Sequence, residues 1–401
     1  PIRYSYIRHY MEESVIHRMK VLNVVHLLDA VTGGGTAERT FQLSRFFAKS
    51  GAACSVLTMD IGISRERLNR LQGVAVIAIP AISRRFPLPL INPFRLVSLV
   101  RQADVIHLMN HWTALNVFVY WACRALGKPY AVCPAGALQI YGRTVFLKQA
   151  YNWIVGRRLI MHADACIAIT QAETRDFLDY GVDTRRIHVI PNGIDPEDFP
   201  EGISPDELTD FRKCHGLGNQ PVILFMGRLN PIKGPDLLLE AFISISQVFP
   251  THRLVFVGPD NGLYQSLKKT VDAAHLETRV HFLGYLAGRE KACAYRMADL
   301  LVIPSRQEAM SIVVLEAGIC GTPVLATDRC GLVDLAAEGV VKIVAPTPEA
   351  ISKGLLELLK HPAETRETGV RLKRFVFDNY LWHTQAQHHL RVFQEMTNAG
   401  R

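Results

Sequence analysis

The 401-residue chain predicts an α/β protein made of two Rossmann-like, doubly wound domains. Short apolar runs rich in β-branched residues alternate with helix-like stretches from about residue 20 onward, the pattern of parallel sheets covered by helices on both faces. A polar, turn-rich stretch after Asp195 interrupts the series, which restarts at Pro221. The length also exceeds what one core supports, since single cores stop growing near ~250–300 residues. The expected division is an N-terminal domain over 1–194 with an extension at 1–19, a C-terminal domain over 195–379, and a helix over 380–401 that packs back toward the N-terminal domain.

At 49% hydrophobic and 20% charged residues the chain reads as folded rather than disordered. Its longest apolar stretch, Trp112 to Cys123, is shorter than the roughly 20 residues that span a bilayer. The opening PIRYSYIRHYMEESVIHR lacks the apolar core of a secretory signal. The eight cysteines include no C-x-x-C pair, so a reduced, cytoplasmic protein without a cysteine metal site is expected. Charge is uneven: residues 1–194 hold 23 basic and 12 acidic side chains, the rest 22 and 25. A basic half suits anionic lipid, an anionic acceptor or nucleic acid, or is an ordinary solvated surface.

The first series opens with VLNVVHLL, then Gly33-Gly34-Gly35, then the helix-like TAERTFQLSRFFAKS closed by Gly51. Strand, glycine turn and helix together cradle phosphates, and three glycines let the backbone approach a ligand closely; a bare βα turn looks the same. The runs CSVLTM, VAVIAIP, ADVIHLM, YAVCPAG, ADACIAIT and IHVIPN follow. His111 lies just beyond ADVIHLM, at a strand end where ligands bind in open sheets, although a lone histidine is more often structural. Residues 141–162 interleave Arg143, Lys148, Arg157 and Arg158 with Phe146, Tyr151, Trp153 and Ile154. Such a helix rests on an anionic membrane or packs its aromatics on the sheet. RRFPLPLINPFR, residues 84–95, is a candidate for the same surface.

Residues 196–220, after Asn192-Gly193-Ile194-Asp195, are the linker candidate. In the second series Arg228 and Lys233 share the loop GRLNPIKG between a strand and a helix. Two cations beside glycines suit a diphosphate, with the arginine forking onto oxygens and the lysine acting as a point charge. LVFVG ends at Gly258. The stretch 305–327 then carries Glu308 in a loop, a helix start near Ser311, and Glu316 on the helix. The free N–H groups of Ser311, Ile312 and Val313 would face what Glu308 touches.

These motifs, in this order and spacing, resemble the retaining glycosyltransferases of family 4, which have the GT-B fold. Glu308 and Glu316 stand as E-x7-E, and Ala37-Glu38-Arg39 and Tyr380-Leu381-Trp382 also fit. The resemblance implies two domains facing across a cleft. It implies that Arg228 and Lys233 neutralise the donor diphosphate, that Glu308 lies beside the donor sugar, and that Glu316 binds the ribose. Ser311, Ile312, Val313, Gly34, Gly35 and Gly258 would line the donor, with His111 a sugar or acceptor contact. No metal or other cofactor is expected, because no Asp-x-Asp is present and protein groups would take the charge. The implied partners are a UDP- or GDP-sugar and a glycan or lipid-linked acceptor of surface polysaccharide assembly. An anionic membrane surface, not nucleic acid, would meet the N-terminal domain, giving a cytoplasmic protein peripheral at the inner face. The chain departs from many relatives at Cys133-Pro134-Ala135-Gly136, where a His or Arg is common. A sugar-nucleotide epimerase or phosphorylase-like enzyme of the same fold, or a non-catalytic donor-binding subunit, are the alternatives.

Overall fold

The computed structural model describes residues 19–29, 32–82, 88–140 and 145–399. They form two compact units. One holds the chain up to Asn192 together with the segment from Trp382 onward; the other runs from Gly193 to Leu381.

The first unit is built on seven parallel strands: β1 (Lys20–Val24), β2 (Ala53–Met59), β3 (Val74–Ile79), β4 (Val105–Met109), β5 (Tyr130–Cys133), β6 (Ala165–Ala168) and β7 (Ile187–Val189). Their order is β3-β2-β1-β4-β5-β6-β7. The second unit has six: β8 (Val222–Met226), β9 (Arg253–Val257), β10 (Val280–Gly284), β11 (Leu300–Ile303), β12 (Val324–Thr327) and β13 (Lys342–Val344), in the order β10-β9-β8-β11-β12-β13. Strands such as VIHLM and VILFM are apolar on both faces because helices cover both. In each sheet the order reverses beside the first strand, between β1 and β4 and between β8 and β11. Connections from those neighbours leave to opposite faces, so the strand ends splay and open a crevice.

Arg39 organises the first unit. It is 1% exposed, and its guanidinium donates to the Ile190 and Pro191 carbonyls (2.8 Å each) and to Asn192 Oδ1 (3.0 Å). It also meets His389 Nε2 at 3.2 Å and lies over the Trp382 ring at 5.8 Å. The Gly34–Lys49 helix thereby holds both the end of the strand series and the Trp382–Ala399 helix. Phe47 packs edge-on against Phe393 at 5.8 Å beside them.

The helix expected over 380–401 runs Trp382–Ala399, parted from the helix Pro362–Asn379 where the Tyr380 carbonyl accepts from the Ile194 amide at 2.7 Å. One expectation changes. Residues 196–220 are not merely a linker. They contain the helix Pro205–Cys214, capped by Ser204, and Arg212 donates to the Met297 carbonyl at 2.6 Å.

The basic-aromatic stretch also divides, apart from residues 141–144, which lie outside the described ones. It forms a helix Val145–Tyr151, a π-turn Asn152–Gly156 and a helix Arg157–Met161. Tyr151 turns inward and donates to the His111 carbonyl at 2.7 Å, whereas Phe146 and Trp153 are 86% and 85% exposed. No described helix is long and apolar enough to cross a membrane.

Gly258 lies at the end of β9 with φ +140°. A Cβ there would stand 1.9 Å from the Gly227 carbonyl oxygen, while its amide donates to Gly284 at 2.7 Å. Gly258→Ala is expected to lower the urea midpoint by at least about 2 kcal/mol of stability, because backbone must shift. Gly339→Ala, at φ +64° but with open space, should cost only the left-handed strain of about 1–2 kcal/mol.

Candidate active site

The crevice of the second unit is built by two loops. The first leaves β8 at Gly227 and carries Arg228. It turns through Pro231–Lys233, where the Asn230 side chain accepts from the Lys233 amide at 3.0 Å. Leu229 ties it to the loop after β9, donating to Pro259 at 3.0 Å and accepting from Asn261 at 3.2 Å. The second loop leaves β11 at Pro304.

Gly234 joins the two, with φ +68° and an ideal Cβ only 2.1 Å from the Pro304 carbonyl oxygen, so no other residue allows this approach without movement. Arg306 adds a stitch. Its amide donates to Ile232 (2.8 Å), and its guanidinium to Pro231 (2.6 Å) and to both Asp236 oxygens (2.9 and 2.6 Å).

This brings Lys233 Nζ to 2.9 Å from Glu308 Oε2, the side chains being 24% and 10% exposed. Both still reach solvent. The other Glu308 oxygen accepts from Ser305 Oγ, and the Glu308 amide donates to the Arg329 carbonyl at 2.7 Å. Arg228 is half-buried and forms no ion pair with a described residue.

The helix Ile312–Cys320 begins beside this pair. Its first-turn N–H groups have no intrahelical acceptor, and Ile312 and Val313 are only half-buried. Ser311 behaves differently from the expectation: its amide is already donated to Cys330 at 3.1 Å, and its Oγ is buried without a partner. The backbone donors left to a ligand are therefore those that follow Ser311.

Glu316 is 8% exposed. Its two oxygens meet Lys291 Nζ and the Tyr295 hydroxyl, both at 2.6 Å. Burial, and then Glu316 itself, hold the Tyr295 hydroxyl well above its ordinary range. Lys291, Tyr295, Ser305, Arg306 and Asp236 are site residues that the sequence reading missed. Lys291 and Tyr295 stand at i, i+4 on one helix face, which the sequence does show; that this face meets Glu316 it does not. Gly258 is buried by the Gly227 backbone, so its glycine requirement comes from packing.

In the first unit, Gly34 (φ +62°) opens the helix after β1, half-buried beside an exposed Gly35. Thr32 donates twice to Asp29 Oδ2 in the same turn, at 2.6 and 2.7 Å. Asn110 (φ +67°) and Ala135 (φ +51°) take left-handed conformations just beyond β4 and β5, a strain that collects at ligand sites.

His111 is fully buried among Trp112, Tyr151 and Tyr180. Nε2 faces Asn152 Oδ1 at 3.0 Å, and the Asn152 amide nitrogen donates to Tyr180 at 2.6 Å. That network makes Nε2 the donor and leaves Nδ1 buried and unpartnered. Burial lowers the His111 pKa to about 4, against the raising effect of Asn152. Cys133 is buried, which pushes its thiol up to about 11.

Residues 208–373 match the glycosyl transferases group 1, and residues 33–198 match glycosyltransferase family 4. The chain belongs to this family of glycosyltransferases, and its two Rossmann-like units are those of the GT-B fold. It is 31% identical over 261 residues to a D-inositol 3-phosphate glycosyltransferase of Kineococcus radiotolerans, covering 60% of this chain and 59% of that protein. It is 27% identical over 239 residues to a GDP-mannose-dependent alpha-(1-6)-phosphatidylinositol monomannoside mannosyltransferase of Mycolicibacterium smegmatis, covering 57% and 62%. The chain thus spans about three fifths of the length of either relative. In fold it is similar to Anabaena HepE (Alr3699), solved in complex with UDP and glucose: TM-score 0.78, 20% identity, 94% of this chain and 99% of that one.

The buried histidines of the first unit set its acid sensitivity. Burial lowers His111 to about 4 and His107 to about 3, and puts His389 well below its ordinary value, with Arg39 adding to the last two. The unfolded chain therefore binds more protons below pH 6.5, and stability present above that pH falls as pH drops toward 4, by ~1.4 kcal/mol per unit per histidine. Glu173, raised by burial to about 7, opposes this in the same window, one group against three. Calorimetry from pH 7 to 4 should show a falling melting temperature for the first unit.

Proposed function

We propose that the chain is a retaining glycosyltransferase. It moves a sugar from a UDP- or GDP-sugar to a glycan or lipid-linked acceptor in surface polysaccharide assembly. The observation that supports this best is the meeting of Lys233, from the loop after β8 that also carries Arg228, with Glu308, from the loop after β11 that leads into the Ile312–Cys320 helix.

In the reaction, the bond between the anomeric carbon and the diphosphate oxygen breaks, and charge builds on that oxygen. Arg228, Lys233 and the N–H groups that follow Ser311 are fixed donors for it, preorganised by the Gly234 and Arg306 contacts. The acceptor hydroxyl adds to the anomeric carbon from the face the leaving group departs, and its proton passes to the leaving phosphate oxygen. Glu308 positions Lys233 and the sugar hydroxyls. Glu316, held by Lys291 and Tyr295, keeps lone pairs for the ribose hydroxyls. The charge is thus handled by protein groups and no metal is called on. The complex of HepE with UDP and glucose, and the GDP-mannose dependence in the mycobacterial relative's name, support a nucleotide-sugar donor and leave both bases in play.

The same relative's name contains a phosphatidylinositol glycolipid, which supports a membrane-borne acceptor. So do Phe146, Leu147, Trp153 and Ile154, exposed between 57% and 86% next to Lys148, Arg157 and Arg158. Gly156 allows the π-turn that separates them from the inward Tyr151: a Cβ there would stand 2.5 Å from the Tyr151 ring. Exposed aromatics with flanking cations suit the interface of an anionic bilayer.

A panel of UDP-, GDP- and ADP-sugars, with nucleotide release followed with and without glycan acceptors, tests the reading. Release with one donor and an α-to-α or β-to-β product by NMR is expected; silence with every donor sinks it. Lys233→Ala should cut turnover roughly 100-fold or more. In liposome flotation, binding should require anionic lipid and drop in a Phe146→Ala, Trp153→Ala variant; flotation unchanged by the substitutions removes this face from the membrane reading.

A further inference from the structure

The first unit has a second concavity, at the N-terminal edge of its sheet, opposite the strand ends that carry His111 and Gly34. It measures about 1150 Å³ and lies where β4, β5, β6 and β7 begin, against the Trp382–Ala399 helix. His162 stands in its wall. The Tyr120 hydroxyl is 2.9 Å from His162 Nδ1 and the two rings stack at 27°, which fixes the imidazole and leaves Nε2 available.

Arg124 and Arg186 line the cavity with His162, and Arg158 stands on the Arg157–Met161 helix that leads into His162, its guanidinium 3.5 Å from the Ile154 carbonyl. Arg186 brackets His162, donating to the carbonyls on either side, Met161 at 2.8 Å and Ala163 at 2.9 Å. Arg158 lies one turn before it, its carbonyl accepting from the His162 amide at 3.0 Å. Arg124 lies one turn after Tyr120 on the Ala114–Leu126 helix. Burial and then the fields of Arg124, Arg158 and Arg186 hold His162 below its ordinary pKa.

None of the three guanidinium groups pairs with a carboxylate among the described residues. Three carboxylates, Asp104, Asp164 and Glu395, line the same cavity; Asp104 and Asp164 are turned to the backbone amides of Lys20 (2.8 Å) and Tyr130 (2.9 Å). Guanidinium groups held near one another without an ion-pair partner repel, and their forked donors match phosphate oxygens. Trp121 and Ile154, 53% and 57% exposed, stand one turn from Arg124 and Arg158 and add apolar surface beside them.

We propose that Arg124, Arg158, Arg186 and His162 form a site for a phosphate-bearing ligand, carried in the unit that does not hold Lys233 and Glu308. The phosphate belongs either to a lipid headgroup or to a soluble phosphorylated compound. The site goes beyond the transferase reading and does not depend on it.

The test uses the full chain. Inorganic phosphate is titrated calorimetrically at constant ionic strength against chloride, and co-sedimentation is measured with phosphatidylcholine vesicles with and without phosphatidic acid. Saturable phosphate binding is expected, weakened at least ~tenfold by Arg124→Glu and by Arg158→Glu, both at exposed positions. Trp153→Ala should leave phosphate binding unchanged, which separates this site from bilayer docking. Sedimentation that needs phosphatidic acid and fails in both arginine variants assigns the headgroup; phosphate binding without vesicle preference assigns the soluble compound. If neither probe binds, or the variants match the wild type with both, the site is overturned. Turnover with donor, measured in parallel, should persist in Arg124→Glu, so that failure of the transferase reading and failure of this site are read separately.

Discussion

The contact on which the second unit's site rests is the approach of Gly234 to the Pro304 carbonyl. It presses the loop after β8 onto the loop after β11 at the point where strand order reverses. Only a residue without Cβ, and with a left-handed φ, fits there. Arg306 fixes the same junction from the other side through Asp236 and two carbonyls. Loosen either, and Lys233 and Glu308 no longer share a geometry, because each is set by its own loop.

Charge at this junction is arranged in two balanced pairs. Lys233 is countered by Glu308, and Glu316 by Lys291 with the Tyr295 hydroxyl. A partly buried cation or carboxylate without a partner would be costly, so each of these charges is held by a neighbour that also orients it. Arg228 is the exception, half-buried with no ion pair among the described residues.

The first unit is held by a different device. Arg39 is buried, yet it spends its donors on carbonyls, Asn192 and an imidazole rather than on a carboxylate. That binds the C-terminal helix to the sheet and explains why neutral, acid-sensitive histidines surround it. Strain at Asn110 and Ala135 lies at the same C-terminal strand ends, and the three arginines near His162, without an ion pair among the described residues, lie at the edge opposite.

The sequence determined the fold class, because apolar runs of strand length that alternate with helices have few other solutions. It also determined where the crevice of the second unit would lie, since Arg228, Lys233, Glu308 and Glu316 all follow strands. Local spacing was enough for these. It was not enough for the partners. Lys291 and Tyr295 reach Glu316, and Arg306 reaches Asp236, across dozens of residues that only strand order brings together. Ser311 looked like a free helix-start donor, and only the path of the chain through Cys330 shows its amide taken. His111 read as a candidate contact or a structural histidine at a strand end, and the aromatic cage that buries it comes from Trp112, Tyr151 and Tyr180. Residue type and period fix what a segment becomes; which side chains meet, and which donors stay free, is decided by the topology of the two sheets.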